Sequence, residues 1–183
     1  MPLIIVETTA EQPLTGELLN DAYQRALPCF AARNATWRYS LLSVDGHRMI
    51  CTFEAPDAES LRESYRRAES LSRQVWVGEL PHRSIWAVGL VRGEAQPQRS
   101  LAVRYVMEGT YPPLSETDWN EISRKFLDYC AECDIEWLQS YLSSDRTKVI
   151  YELKAPDITP IQEAQHKLEI SFDRVWSAQV LSP

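Results

Sequence analysis

The apolar positions change period several times along the chain, and each change marks an element. Residues 3–8, LIIVET, are apolar and β-branched and read as a strand. Pro13-Leu14-Thr15 supplies a turn and a cap, with the Thr15 hydroxyl placed to accept from the first turn of a helix. Leu18, Leu19, Ala22, Tyr23, Ala26, Leu27 and Phe30 then recur at i, i+3, i+4 spacing. That is an amphipathic helix, in which Pro28 should bend or fray the last turn. From Ala35 to Val44 the period drops to two, and Trp37, Tyr39 and Leu41 share one face of a strand. Asp45-Gly46 signals a tight hairpin and Arg48 to Glu54 the return strand. Ala55-Pro56-Asp57 ends that strand and opens a helix capped by Asp57, with Leu61, Tyr65 and Ala68 as its buried stripe. Gln74 to Leu80 reads as a fourth strand. The order β-α-β-β-α-β is the ferredoxin-like arrangement, with two helices on one face of a four-stranded antiparallel sheet.

The same series then starts again. The stretch Trp37–Asp57, WRYSLLSVDGHRMICTFEAPD, returns without a gap at Trp137–Asp157 as WLQSYLSSDRTKVIYELKAPD, with nine of 21 positions identical. Unrelated sequence would give roughly one match in this length, so the chain is an internal duplication. In the second copy, Ala102 to Glu108 is the first strand and Pro113-Leu114-Ser115 the turn and cap. Trp119, Ile122, Phe126, Leu127 and Cys130 form the first helical stripe, and Ile161, Ala164 and Leu168 the second. The hairpin spans residues 137–154 with Asp145-Arg146 in place of Asp45-Gly46, and Val175 to Leu181 is the last strand, Val175-Trp176 matching Val75-Trp76.

Between the copies, Ile85 to Val91 is apolar enough for an extra strand or an extension of the fourth. Gly93 to Ser100 is polar and holds glycine and proline, as a linker does. The expected domains are therefore 1–82, a linker at 83–100, and 101–183. Each copy leaves one sheet face uncovered, and such a face needs cover. The expected fold class is α+β: two tandem ferredoxin-like domains packed sheet-on-sheet as an intramolecular pseudo-dimer, of the dimeric α+β barrel type. Such a chain would exist as a monomer or as a homodimer of the pseudo-dimer.

Composition narrows the partners. The net charge is −7 with no long basic run, which disfavours nucleic acid and anionic membranes. Arg62, Arg66 and Arg67 share a helix with Glu59, Glu63 and Glu69, and Glu63 to Arg67 is an i, i+4 ion-pair spacing, so this is a solvated face. No apolar run approaches the roughly 20 residues that cross a bilayer, and the first residues show no signal-peptide pattern. Cys29, Cys51, Cys130 and Cys133 have no cysteine at their repeat counterparts, which suits free thiols in a reducing cytoplasm.

The pattern Trp-x-x-Ser-[Leu/Tyr]-x-Ser-x-Asp, a hairpin, and then Cys51-Thr52-Phe53-Glu54-Ala55-Pro56-Asp57 resembles the small nickel-binding protein family of ferredoxin-like domains, whose members are mostly single domains that pair. Ser140-Tyr141 and Glu54–Asp57 match that family's strand and closing motifs, and Glu7 and Glu108 resemble a glutamate it places at the end of the first strand. The resemblance implies a protein that binds nickel or another divalent metal, with His166, Glu108 and Cys51 as candidate ligands. The copies depart from one another: Cys51 becomes Tyr151, Glu54 becomes Lys154, and the helix of His166 has Tyr65-Arg66 at the matching place. Any metal site is therefore not held twice.

Other chemistry is sparse. His47, His82 and His166 lie far apart in sequence. His47 sits at a hairpin tip, a surface place. The single Cys130-x-x-Cys133 closes a helix instead of opening one, against a redox role, and Cys130 falls on a core position. No nucleophile elbow, HExxH or phosphate loop is present. A binding protein for a metal or a small ligand is the leading expectation. One alternative is a cofactor-poor enzyme of monooxygenase or isomerase type. Its pocket between sheet and helices would be lined by Trp37, Tyr39, Trp137, Gln139 and Tyr141, with Glu54, Glu152 or His166 as acid or base. A non-catalytic interaction module is the other.

Overall fold

A computed structural model describes the backbone of residues 1–72, 82–93 and 103–183, and the side chains of residues 1–68 and 103–183. The chain divides into two units, Met1–Val88 with Gln179–Pro183, and Gly89–Ala178.

In the first unit the elements run β1 (Leu3–Thr9), α1 (Gly16–Ala31), β2 (Thr36–Ser43), β3 (Arg48–Glu54), α2 (Ala58–Ser72) and β4 (His82–Gly93). β1 pairs antiparallel with β3 and with β4, and β3 pairs with β2. The Thr15 hydroxyl accepts from Leu18 N–H at 3.3 Å and the Asp57 carboxylate from Ser60 N–H at 2.6 Å, so both expected caps are made. Pro28 does not fray α1. The helix runs on to Ala31, and Pro28 O accepts from Ala32 N–H. Leu18 and Leu27 are exposed, so the buried edge of α1 is narrower than the periodic run and rests on Ala26 and Phe30.

The second unit repeats this with β5 (Val103–Thr110), α3 (Glu116–Glu132), β6 (Glu136–Ser143), β7 (Lys148–Ala155), α4 (Thr159–Leu168) and β8 (Arg174–Leu181). β5 pairs with β7 and β8, and β7 with β6. Ser115 and Asp118 form a reciprocal capping box on α3. Glu63 and Arg67 make the expected ion pair at 3.1 Å.

Two expectations change, and one lies outside the described residues. The register of β2 shifts between Trp37 and Tyr39, and that of β6 between Trp137 and Gln139. Strict alternation would put Trp37 and Tyr39 on one face; the extra residue of the bulge turns Tyr39 to the other. Each hairpin turns through four residues, with Ser43 O accepting from Gly46 N–H and Ser143 O from Arg146 N–H. Gly46 has φ +75°, and a Cβ there would lie 2.7 Å from Leu14 O. Arg146 takes the same left-handed conformation at φ 59° without glycine. The strand expected at Gln74 to Leu80 lies outside the described residues, as do Trp76 and most of the Gly93–Ser100 linker. The partner of β1 is β4, which contains the apolar run Ile85 to Val91. Trp86 stands opposite Ile5, and Trp176 opposite Val106. Since Leu3 faces Glu54 and Arg104 faces Lys154, Ile5 and Val106 are equivalent, and by strand register Trp86 is the counterpart of Trp176.

Each unit has its own core between sheet and helices. In the first, Phe30 packs on Phe53 (5.1 Å between ring centroids) and Tyr65 (5.2 Å), with Leu61 and Ala55 wholly buried. In the second, Trp119, Phe126, Trp137 and Tyr151 gather instead. Burial raises the Tyr151 phenol well above its ordinary range. Among the described residues no helix is long and apolar enough to cross a membrane.

Candidate binding site

On β7, Val149, Tyr151, Leu153 and Ala155 enter the helix-side core, so Ile150, Glu152 and Lys154 lie on the opposite face. Strand register extends that face across four strands as three rows. The first is Glu136, Lys154, Arg104 and Ala178. The second is Gln139, Glu152, Val106 and Trp176, and the third is Tyr141, Ile150, Glu108 and Arg174. The bulge in β6 is what brings Gln139 opposite Glu152.

Glu152 is the focus. Its side chain is fully buried, and a buried carboxylate is tolerated only when paired and hydrogen-bonded. Gln139 Nε2 donates to Oε1 at 2.7 Å and Arg104 Nη1 to Oε2 at 3.4 Å. Tyr141, Val106 and Ile150 beside it are buried as well. Lys154 Nζ stands 3.8 Å from Glu136 Oε2, while Glu136 Oε1 is buried with no hydrogen-bond partner. Glu108 accepts from Trp176 Nε1 at 2.6 Å and lies 3.7 Å from Arg174 Nε. The same three rows in the first unit read Thr36, Glu54, Leu3; Tyr39, Thr52, Ile5; and Leu41, Ile50, Glu7. Thr52 replaces Glu152, and its buried hydroxyl has no partner.

The structure thus brings Gln139, Tyr141, Glu152 and Glu108 onto one face of the second unit. Trp37 and Trp137 are elsewhere, each in the helix-side core of its own unit. Their indole N–H groups donate to Ser40 Oγ (2.9 Å) and Ser140 Oγ (2.7 Å). Tyr39 and Glu54 lie on the corresponding face of the first unit, with Glu54 2.9 Å from Arg38. Cys51 is buried in the first core and His166 is exposed on α4. His47 is half-buried, with Nδ1 2.9 Å from Ala10 O. None of the four cysteines is in a disulfide; Cys133 is half-buried at the end of α3.

Sequence reading missed Arg104, Glu136 and Trp176 as partners in this face. One signal was available: an acid at position 152 inside the strand Lys148–Ala155, which needs a partner from a neighbouring strand. Among the described residues no three His, Cys, Asp or Glu side chains converge to hold a metal ion, so these residues do not fit a resident metal.

A family model described as nickel responsive protein SCO4226-like matches residues 4–77 and 105–177, once for each copy. No curated protein matches. Among solved structures, a mutant chlorite dismutase from Candidatus Nitrospira defluvii in complex with cyanide is similar at TM-score 0.55 and 9% identity, covering 99% of this chain and 91% of that one. A protein provisionally assigned as a monooxygenase from Fusobacterium nucleatum subsp. nucleatum gives 0.53 at 10% identity, covering 99% and 93%. An anthrone oxidase-like protein gives 0.50 at 11%, covering 100% and 91%. At these identities the likeness concerns fold, and the fold class is α+β of the dimeric α+β barrel type, built from two ferredoxin-like repeats.

Proposed function

The chain belongs to the SCO4226-like family of nickel-responsive proteins, and from that premise we propose that it is a metal- or small-ligand-binding protein whose binding group lies on the sheet face of its second unit. The observation that carries this reading is Glu152: fully buried, held by Gln139 and Arg104, and replaced by Thr52 in the first unit. A strand that needed only to fold would be served by threonine or valine, as its copy is. The Arg104 guanidinium that this buried carboxylate holds in place is 25% exposed and has N–H groups left to donate to a ligand on the face. The geometry favours a small organic ligand over a chelated ion, because the candidate metal ligands Cys51, Glu108 and His166 are not gathered into a metal-holding group. Four cysteines outside any disulfide suit a reducing cytoplasm.

The test is thermal stabilisation of the full chain by nickel(II) and by small polar molecules, in wild type and Glu152→Gln. At least one should raise the melting temperature of the wild type and leave the variant unmoved. A compound that stabilises both equally would remove the role given to this face.

A further inference from the structure

We propose that the first row of this face, Glu136–Lys154–Arg104, recognises a carboxamide, a neutral group with an N–H donor beside a C=O acceptor. The inference rests on the reading above and names its ligand class. Glu136 Oε1 is an acceptor that no protein donor reaches, and it is out of contact with solvent. Lys154 Nζ is a donor whose nearest acidic oxygen, Glu136 Oε2, lies at 3.8 Å, beyond hydrogen-bond length. The Lys154 side chain is only 14% exposed, so bulk water serves it poorly. Glu136 Oε1, which has no donor, and the Lys154 ammonium, ion-paired at long range to the other oxygen of the same carboxylate, thus stand side by side on paired residues of β6 and β7. Arg104 and Gln139 are committed to Glu152 and frame the row below.

Charge decides among head groups. Arg104 and Lys154 are cations, Glu136 and Glu152 anions, and the four cancel. A carboxylate ligand would add an uncompensated negative charge beside two buried or half-buried acids, and an ammonium an uncompensated positive one beside Arg104 and Lys154. A neutral amide adds none: once the Glu136 side chain, 30% exposed, turns Oε1 toward it, the amide donates to that oxygen and accepts from Lys154 Nζ. The first unit has Thr36, Glu54 and Leu3 in this row and offers no such pair.

The experiment uses three probes with one ring and different heads: benzamide, benzoate and benzylamine, titrated into the full chain by calorimetry. Benzamide should bind roughly tenfold more tightly than either of the others, from two hydrogen bonds the others cannot make together. Glu136→Gln and Lys154→Met, each checked for an unchanged melting curve, should each remove that preference. Benzoate or benzylamine binding best, in a manner that Glu152→Gln abolishes, would overturn the amide assignment and leave the binding face standing. Binding that is indifferent to Glu152→Gln, or no binding of any probe or of nickel(II), would overturn both.

Discussion

The two units share a backbone plan and spend their side chains differently. In the first, the aromatic pile is Tyr23, Phe30, Trp37, Phe53 and Tyr65, and four further core positions hold the non-aromatic Ala10, Leu19, Ala26 and Cys51. In the second, those positions become Tyr111, Trp119, Phe126 and Tyr151, while Phe30 and Tyr65 give way to Cys130 and Gln165. Each core fills its volume from opposite ends. The far sheet face shows a different kind of divergence. There the first unit is mainly apolar or neutral, and the second carries Arg104, Glu136, Gln139, Glu152 and Lys154. A core can be redrawn at constant volume with little consequence. A charged grid on a buried face costs desolvation at every member. Drift explains the first difference; the second asks for a use.

The largest expected effect separates the two faces at one register position. Glu152→Ala strands Gln139 and Arg104 and should cost about 2–3 kcal/mol, somewhat below the usual loss for a broken buried pair because Arg104 keeps some contact with water. At the counterpart, Thr52→Val removes an orphan hydroxyl at nearly constant shape and should stabilise by up to about 1 kcal/mol. Chemical denaturation of both variants checks the pair. Equal losses would mean the two positions do the same job.

Next comes the volume trade inside the cores. A Cβ on Gly109 would lie 2.6 Å from the Tyr111 ring, whereas its counterpart in the first unit is Thr8, followed by the small Ala10. Gly109→Ala should cost about 1–3 kcal/mol by overpacking. In the background Tyr111→Ala the same change should cost much less, a coupling that a double-mutant cycle reads directly. Additive losses would show that glycine is there for another reason.

Much of this was legible in the sequence, and the boundary is physical. Caps, hairpins, strand order and the duplication follow from local chemistry, and Thr15, Asp57 and the Glu63–Arg67 pair do what their spacing predicts. Which face Tyr39 and Gln139 take was not legible, because a bulge adds one residue without any glycine to announce it. The partners of Glu152 were hidden for a similar reason. Arg104 and Gln139 are 48 and 13 residues away, and only strand register makes them neighbours.

A smaller effect concerns the hairpins, which the units share in form. Gly46→Arg imposes the second unit's residue on the first. With Leu14 O 2.7 Å from the new Cβ it should cost about 1–2 kcal/mol, while Arg146→Gly should change stability by less than about 1 kcal/mol.

The smallest effect is one that both units should show alike. Ser43 and Ser143 donate to Asp45 and Asp145, and these bonds lower both carboxyl pKa values. A lowered folded-state pKa stabilises above the unfolded value and is lost as pH falls through the folded one. Melting temperature should therefore drop below about pH 4, and Asp45→Asn and Asp145→Asn should each flatten that drop slightly. A flat profile in the wild type would deny these hydrogen bonds any part in stability.

On the proposed function, binding belongs to the sheet face of the second unit and not to both copies. The direct measurement is amide and side-chain chemical-shift mapping of the full chain titrated with benzamide. Shifts should centre on β5, β6 and β7, including the side-chain amide of Gln139 and the indole N–H of Trp176, with the matching strands of the first unit unmoved. Shifts of equal size at Tyr39, Thr52 and Glu54, or shifts confined to the first unit, would contradict it.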